Sequence, residues 1–191
     1  MSSFSSAPVR LETPFAAAGL RALRCGERAL ISGIIYAARD AAHKRMIEAL
    51  DQGRGLPVNL RGQCVYYVGP TPAPPGRVIG SAGPTTAGRM DAYTPSLLEQ
   101  GMLGMIGKGN RSLAVLEALR RHGAVYFAAT GGAGALLARC ITGCRVLAYS
   151  ELGPEALAEL TVRDFPVIVA ADSCGNDLYA EGRKPYQTVW P

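Results

Sequence analysis

The stretch ALISGIIYAARDAAHKRMIEAL, residues 29–50, decides the predicted fold. Its first part, residues 29–37, is an apolar run rich in isoleucine, which is typical of a buried β-strand. In residues 39–50 the apolar side chains recur at helical spacing, and Gly53 follows as a stop signal. A buried strand that leads directly into an amphipathic helix is a building block of layered α/β domains.

The same alternation of apolar runs and helical patterns continues along the chain. Further strands are predicted at residues 64–68, 77–82, 102–106, 125–129, 145–149 and 165–170. Further helices are predicted at residues 95–100, 112–122 and 132–140. We therefore expect a single α/β domain over residues 11–180, with a flexible N-terminal tail at residues 1–10 and a C-terminal tail at residues 181–191.

Composition limits the classes of function. The 191 residues are 48% hydrophobic and 18% charged, which is enough apolar material for a substantial core. The formal net charge is +5, but the 20 Lys and Arg residues are dispersed and only 7% of residues are aromatic. This pattern favours small anions or an acidic partner over nucleic acid. Membrane segments need ~18–20 uncharged residues, and secretion signals need a basic start; the sequence has neither, so we expect a cytoplasmic protein.

The cysteines and histidines do not predict a metal centre within this chain. The two histidines, His43 and His122, lie outside any HxxxH pattern, and no CxxC pair is present. The five cysteines are an odd set: Cys25, Cys64, Cys140, Cys144 and Cys174. We therefore expect reduced thiols and no complete zinc or iron–sulfur site.

Three cation-bearing loops are the candidates for ligand binding. They are GPTTAGRMD at residues 83–91, GKGNRS at residues 107–112 and RDAAHKR at residues 39–45. In the first loop, glycine permits close approach of the backbone, and Arg89 offers a planar fork that matches a carboxylate. All three loops follow predicted strands, whose carboxyl ends are the usual ligand sites of α/β sheets. If they converge, they would bind a small dianion such as a dicarboxylate.

Each loop also has a purely structural interpretation. Thr and Asp cap turns, Ser and Asn cap helices, and charged helix starts are commonly solvated surfaces. For the first loop, this interpretation has about the same weight as anion binding. Charge alone does not distinguish anion binding from a structural role.

The order of the motifs is more specific than any single motif. GPTTAGRMDAY, KGNRS, HGAVYFAATGGAGALLA, ELGPEAL and DFPVIVAADSCGND occur in this order, after the upstream RDAAHKR. Together they resemble the C-terminal region of class I fumarases and the related tartrate dehydratase β subunits. The resemblance covers residues 11–179.

This resemblance implies a fold, a chemistry and roles for four residues. The fold is a swivelling β/β/α domain. Enzymes of the family add or remove water across a double bond of a dicarboxylate, using a four-iron cluster as Lewis acid. Because its cysteine ligands lie in a larger α region, the iron–sulfur cluster would be carried by a partner α subunit and none would be bound here. Arg39, Arg89 and Lys108 match substrate-carboxylate binders, and Thr85 matches a threonine assigned to acid–base chemistry.

The leading hypothesis is the β subunit of a two-subunit iron–sulfur hydro-lyase that reversibly hydrates fumarate to malate. It would be active only with the α subunit, in a homo- or hetero-oligomer. AGRMD and KGNR favour fumarase, since tartrate dehydratases tend toward SMRME and KGG. The alternatives are a tartrate dehydratase or mesaconate hydratase β subunit, or a stand-alone carboxylate-binding module.

Overall fold

A computed structural model describes residues 7–187. The strands in this part are β1 (Val9–Thr13), β2 (Arg28–Ala37), β3 (Cys64–Tyr66), β4 (Gly104–Gly107), β5 (Val125–Ala128), β6 (Ile141–Ala148) and β7 (Leu157–Ala171). The α-helices are α1 (Ala17–Arg21), α2 (Asp40–Asp51), α3 (Thr94–Glu99), α4 (Leu113–His122), α5 (Gly134–Ala138) and α6 (Leu178–Glu181). None of these helices is long and apolar enough to span a membrane.

The strands pair into one sheet in the order β1-β2-β3-β4-β5-β7-β6, and β2 pairs with β7 as well. Strands β2, β3, β4, β5 and β7 therefore form a closed ring of pairings. The steps from β2 to β5 are parallel, whereas β7 runs antiparallel to both β2 and β5. The predicted mixed α/β domain is confirmed, and the more specific swivelling fold stays a prediction. The parallel steps bring the carboxyl ends of β2, β3, β4 and β5 to one edge.

Alternating side chains of the ring strands supply two hydrophobic clusters. Tyr66 and Phe127 belong to the cluster that the five ring strands share. Tyr67 and Tyr126, one residue away along the same strands, belong to the cluster that packs against α2, α3 and α4. This period of two explains why β3, β4 and β5 are nearly continuous apolar runs, because both of their faces are buried.

Local capping explains the limits of α4. The Ser112 hydroxyl accepts a hydrogen bond from the Val115 amide at 3.4 Å, which makes Ser112 the N-cap. Gly123 ends the helix in the left-handed conformation, with φ of 66°. The predicted helix at residues 112–122 is thus confirmed, and Arg120 and Arg121 lie in its last turn.

The predicted strand at residues 77–82 is wrong. This segment is a loop held across its own base, because the Thr71 amide donates to the Ser81 carbonyl at 3.0 Å and the Ser81 amide donates to the Thr71 hydroxyl at 2.8 Å. The Ala82 amide donates to the Gly134 carbonyl at 3.1 Å, which attaches the loop to α5. Residues at the end of the predicted strand therefore bond to the start of the loop and to α5 instead of to a neighbouring strand.

Strand β7 is much longer than the predicted strand at residues 165–170. It covers fifteen residues. Along one edge, its first half pairs with β6 and its second half pairs with β5. Asp164, with φ of 48°, lies at the irregularity between these halves. At the chain ends, β1 begins at Val9, inside the range assigned to the N-terminal tail, and residues 1–6 and 188–191 lie outside the described residues. The domain limits stay a prediction.

Candidate functional site

The three cation-bearing loops all lie at the carboxyl ends of the parallel strands. Arg39 follows β2 and is the N-cap of α2. Lys108 follows β4 directly. Thr85 and Arg89 belong to the segment that crosses the ends of β3 and β4, and Arg89 lies in a 3-10 helix at Ala87–Met90.

Backbone hydrogen bonds hold Thr85 beside Lys108. The Thr85 amide donates to the Tyr67 carbonyl at 2.8 Å, and the Lys108 amide donates to the Thr85 carbonyl at 3.1 Å. The Ala87 amide then donates to the Lys108 carbonyl at 2.8 Å. Gly107 makes this close approach feasible, because a Cβ there would lie 2.9 Å from the Tyr67 ring and 3.0 Å from the Ala87 Cβ. The site threonine and lysine are therefore neighbours through rigid backbone.

Arg39 and Arg89 meet across the carboxylate of Asp40. The Arg39 Nε donates to Asp40 Oδ2 at 3.1 Å, and the Arg89 Nε forms an ion pair with Asp40 Oδ1 at 2.7 Å. A second carboxylate, Glu155 Oε1, lies 3.4 Å from Arg39 Nη2. The Arg39 stem crosses Gly69, where a Cβ would lie 3.0 Å from Arg39 Cδ. Two distant parts of the chain thus place two guanidinium groups side by side.

The charges of the site do not all remain available to a ligand. Three cations and the carboxylates of Asp40 and Glu155 leave one net positive charge. Burial raises the pKa of Asp40, but its own backbone amide, the Arg39 hydrogen bond and the charge of Arg89 lower it overall, so Asp40 is ionised at neutral pH. Within residues 7–187, the Arg89 Nη atoms donate no hydrogen bond and Lys108 forms no ion pair. These donors are the ones best suited to an incoming anion.

Arg111, from the same loop as Lys108, is a structural residue instead. Its side chain is fully buried and pairs through Nε with Asp91 Oδ1 at 2.7 Å, while Nη2 donates to the Thr94 hydroxyl at 2.6 Å. Its guanidinium carbon lies 5.4 Å from the Tyr67 ring centroid and 5.1 Å from that of Tyr126. The sequence predicted one cationic loop. In the structure, Arg111 is buried and stabilises the fold, whereas Lys108 is exposed.

Two tyrosines fix the loop around Lys108. The Tyr179 hydroxyl accepts from the Gly109 amide at 3.0 Å, and the Tyr126 hydroxyl donates to the Gly109 carbonyl at 2.9 Å. The Lys108 stem passes over Gly131, after β5, where a Cβ would lie 3.5 Å from Lys108 Cδ. Sequence reasoning did not identify Tyr179, because nothing in its local sequence indicates a contact across seventy residues.

His43 forms a hydrogen bond with the Arg39 backbone carbonyl. It is fully buried, and its Nδ1 lies 2.9 Å from the Arg39 carbonyl, which assigns the proton to Nδ1. Nε2 has no partner among the described residues. Burial and then the Arg111 charge lower the pKa of His43 to about 4, despite the opposing effect of the Arg39 hydrogen bond. The ring is therefore neutral at physiological pH and acts as a packed hydrogen-bond donor.

The described residues do not fit an iron–sulfur cluster. Residues 7–187 contain no group of three or more His, Cys, Asp or Glu side chains that could hold a metal ion. Burial raises the pKa of the Cys64 thiol, and burial with the neighbouring Asp172 raises the pKa of Cys25 to about 11. Because iron binds the thiolate form, these environments oppose ligation.

Fold and site together define an α/β domain with a cluster of cationic side chains at the carboxyl ends of parallel strands. The family model described as "Fumarase C-terminus" matches residues 2–182. The chain belongs to this family, which confirms the resemblance to the C-terminal region of class I fumarases.

The relatives differ in how much of their own length is matched. The chain is 42% identical over 156 residues to "Fumarate hydratase class I, aerobic" of Escherichia coli, covering 81% of this chain and 28% of that protein. It is 35% identical to "Putative fumarate hydratase class I" of Geobacillus stearothermophilus, covering 92% and 34%. It is 37% identical to "Putative L(+)-tartrate dehydratase subunit beta" of Methanocaldococcus jannaschii, covering 89% and 91%. The chain thus spans about a third or less of these fumarate hydratases and most of the β subunit.

Proposed function

We propose that this chain is the β subunit of a hydro-lyase that interconverts fumarate and malate. The observation that carries the proposal is the meeting of Arg39 and Arg89 across Asp40, at the strand edge that also holds Thr85 and Lys108. Membership of the fumarase C-terminus family supports it. The net positive charge of the site and the planar guanidinium donors support binding of a carboxylate substrate.

The proposed binding uses the donors that have no partner within the described part of the chain. One substrate carboxylate would bind the Nη pair of Arg89 and the Lys108 ammonium. Arg39, whose donors are shared with Asp40 and Glu155, would contribute mainly positive charge. When water is eliminated through a carbanion-like state, negative charge moves onto a carboxylate, and fixed cations stabilise it without reorganisation.

Thr85 is the proposed proton carrier at the reacting carbon. Thr85 is half-buried, and its backbone amide and carbonyl are both hydrogen-bonded, so the residue is anchored beside Lys108. A free threonine hydroxyl is a poor base at neutral pH. The neighbouring cations lower the cost of its ionised form, as they do for other activated groups.

The four-iron cluster of the family would belong to a larger companion α chain. The described cysteines do not fit a cluster, and the region that this chain covers is 28% and 34% of the two matched fumarate hydratases. The proposed assembly is a hetero-oligomer in which this chain supplies the carboxylate-binding cations and Thr85. The cluster would supply Lewis acidity at the hydroxyl that leaves.

Tartrate dehydration is the second candidate. The observation in its favour is coverage, because the chain matches 91% of a protein named as a tartrate dehydratase β subunit. Mesaconate hydration and a carboxylate-binding module without catalysis are the further alternatives. All of them use the same cations and differ in the rest of the substrate or in the partner.

The test is anaerobic co-expression with a candidate α chain, cluster reconstitution, and parallel assays with fumarate, mesaconate and tartrate. We expect turnover only in the complex, with fumarate the best of the three. Thr85→Ala should lower kcat by about 10²–10⁴-fold with little change in KM, as for a general acid–base group. Thr86→Ala is the matched control, since Thr86 is the exposed neighbour. Turnover by the small chain without iron, or full activity of Thr85→Ala, would contradict the proposal.

A further inference from the structure

The Asp40 carboxylate lies between Arg39 and Arg89, and its position at the start of α2 does not account for these two contacts. It lies in the first turn of α2, where a carboxylate is favoured by the helix dipole. Yet its two oxygens are directed to different partners, Oδ2 to Arg39 at 3.1 Å and Oδ1 to Arg89 at 2.7 Å. Arg89 comes from a segment almost fifty residues later. A helix-stabilising carboxylate alone would need neither contact.

The atom of each arginine that Asp40 contacts is informative. In both pairs the nearest guanidinium atom is Nε, which lies on the stem side of the group. Contact at Nε restricts the side-chain torsions of both arginines, while Arg39 Nη2 pairs with Glu155 and the Arg89 Nη atoms have no hydrogen bond among residues 7–187. Because Arg89 is about half exposed, at 50%, it would otherwise sample many rotamers. Ordering such a side chain before the ligand arrives reduces the entropy lost on binding.

We propose that Asp40 is a positioning residue that orients the Arg39 and Arg89 guanidinium groups toward a substrate carboxylate. This inference rests on the proposed function. Asp40 contacts no substrate atom in this scheme, and it acts through the two arginines. It also joins the loop after β2 to the segment that carries Thr85, so it couples carboxylate binding to the position of the proposed proton carrier.

Net charge and side-chain positioning predict opposite effects on substrate binding when the Asp40 charge is removed. Asp40→Asn makes the site more positive, so a dianion should bind more tightly if net charge alone decides affinity. If Asp40 orients the arginines, binding should weaken. An asparagine has one acceptor oxygen for two donors, and its amide group would face the other Nε–H. The sign of the change in KM therefore separates the two accounts.

The experiment compares Asp40→Asn with Asp164→Asn in the complex with the companion chain. Asp164 is the matched control, because it forms an exposed ion pair with Arg10 at 2.6 Å, away from the candidate site. We expect Asp40→Asn to raise KM for malate and fumarate about tenfold with a smaller effect on kcat, as for one lost charge-assisted hydrogen bond. Asp164→Asn should leave both constants unchanged, and Asp40→Glu should recover part of the affinity.

A second measurement does not depend on turnover. In ¹⁵N-labelled isolated chain, the Arg39 Nε–H signal should be protected from exchange with water, and Asp40→Asn should abolish that protection. An unchanged or lower KM in folded Asp40→Asn, or Nε–H protection that survives the substitution, would overturn the inference. If the wild-type complex shows no turnover, the proposed function is wrong, and the role of Asp40 is wrong with it.

Discussion

Removal of the Arg111 guanidinium should destabilise the domain strongly. Arg111→Met keeps the length and apolar volume of the side chain but leaves Asp91 without its buried cation. Breaking one partner of a buried ion pair costs about 3–5 kcal/mol. Asp91 keeps the hydrogen bond from the Ser112 amide at 2.7 Å, and its side chain is 18% exposed, so we expect the lower end, about 3 kcal/mol. Thr94 adds little, because its hydroxyl still donates to the Met90 carbonyl.

The assay is urea unfolding at pH 7, followed by circular dichroism. A loss of 3 kcal/mol corresponds to a fall in Tm of about 6–12 °C for a domain of this size. Arg121→Met is the control, because its pair with Glu117 is exposed and contributes under about 0.5 kcal/mol. The double variant Arg111→Met/Asp91→Asn should be more stable than Arg111→Met, since no unpaired buried charge remains. A loss below about 1 kcal/mol for Arg111→Met would refute this account of the network.

Three further predictions test the pH dependence, the loop packing and the anion site. His43 has its pKa lowered from 6.5 to about 4, so the unfolded chain binds the proton first. Stability should therefore fall by up to about 1.4 kcal/mol per pH unit from pH 6.5 toward pH 4, and urea titrations of His43→Asn should lack this slope. Gly134→Ala places a Cβ 2.5 Å from Ser81 Oγ and should cost about 1–3 kcal/mol in thermal unfolding, whereas Gly19→Ala has nothing within 4 Å and should not destabilise. Arg89→Lys keeps the charge but removes the fork, and should raise the KM of the complex about tenfold; an unchanged KM would mean that Arg89 binds no carboxylate.

Local patterns predicted most of the helices and strands. The apolar run at residues 29–37 and the capped helix starting at Ser112 are formed by short-range preferences, and the structure reproduces both. The strand at residues 77–82 failed because its apolar residues, such as Val78 and Ile79, belong to a loop held by Thr71 and Gly134. The Ala82–Gly134 bond joins positions far apart in sequence, and the Thr71–Ser81 bonds close an irregular loop, so no local periodicity predicts either contact.

The sequence by itself determined the family, the strand–helix alternation and the residue types that a dianion needs, because ordered motifs and hydrophobic periods are written in neighbouring positions. Only the tertiary structure decided which cations are available. Arg111 is buried, while Lys108, three residues earlier, remains exposed, and this division follows from which side chain faces the tyrosines of the core. The carboxylate between Arg39 and Arg89 likewise depends on the ring of strands, since pairing and burial are set by contacts between distant segments.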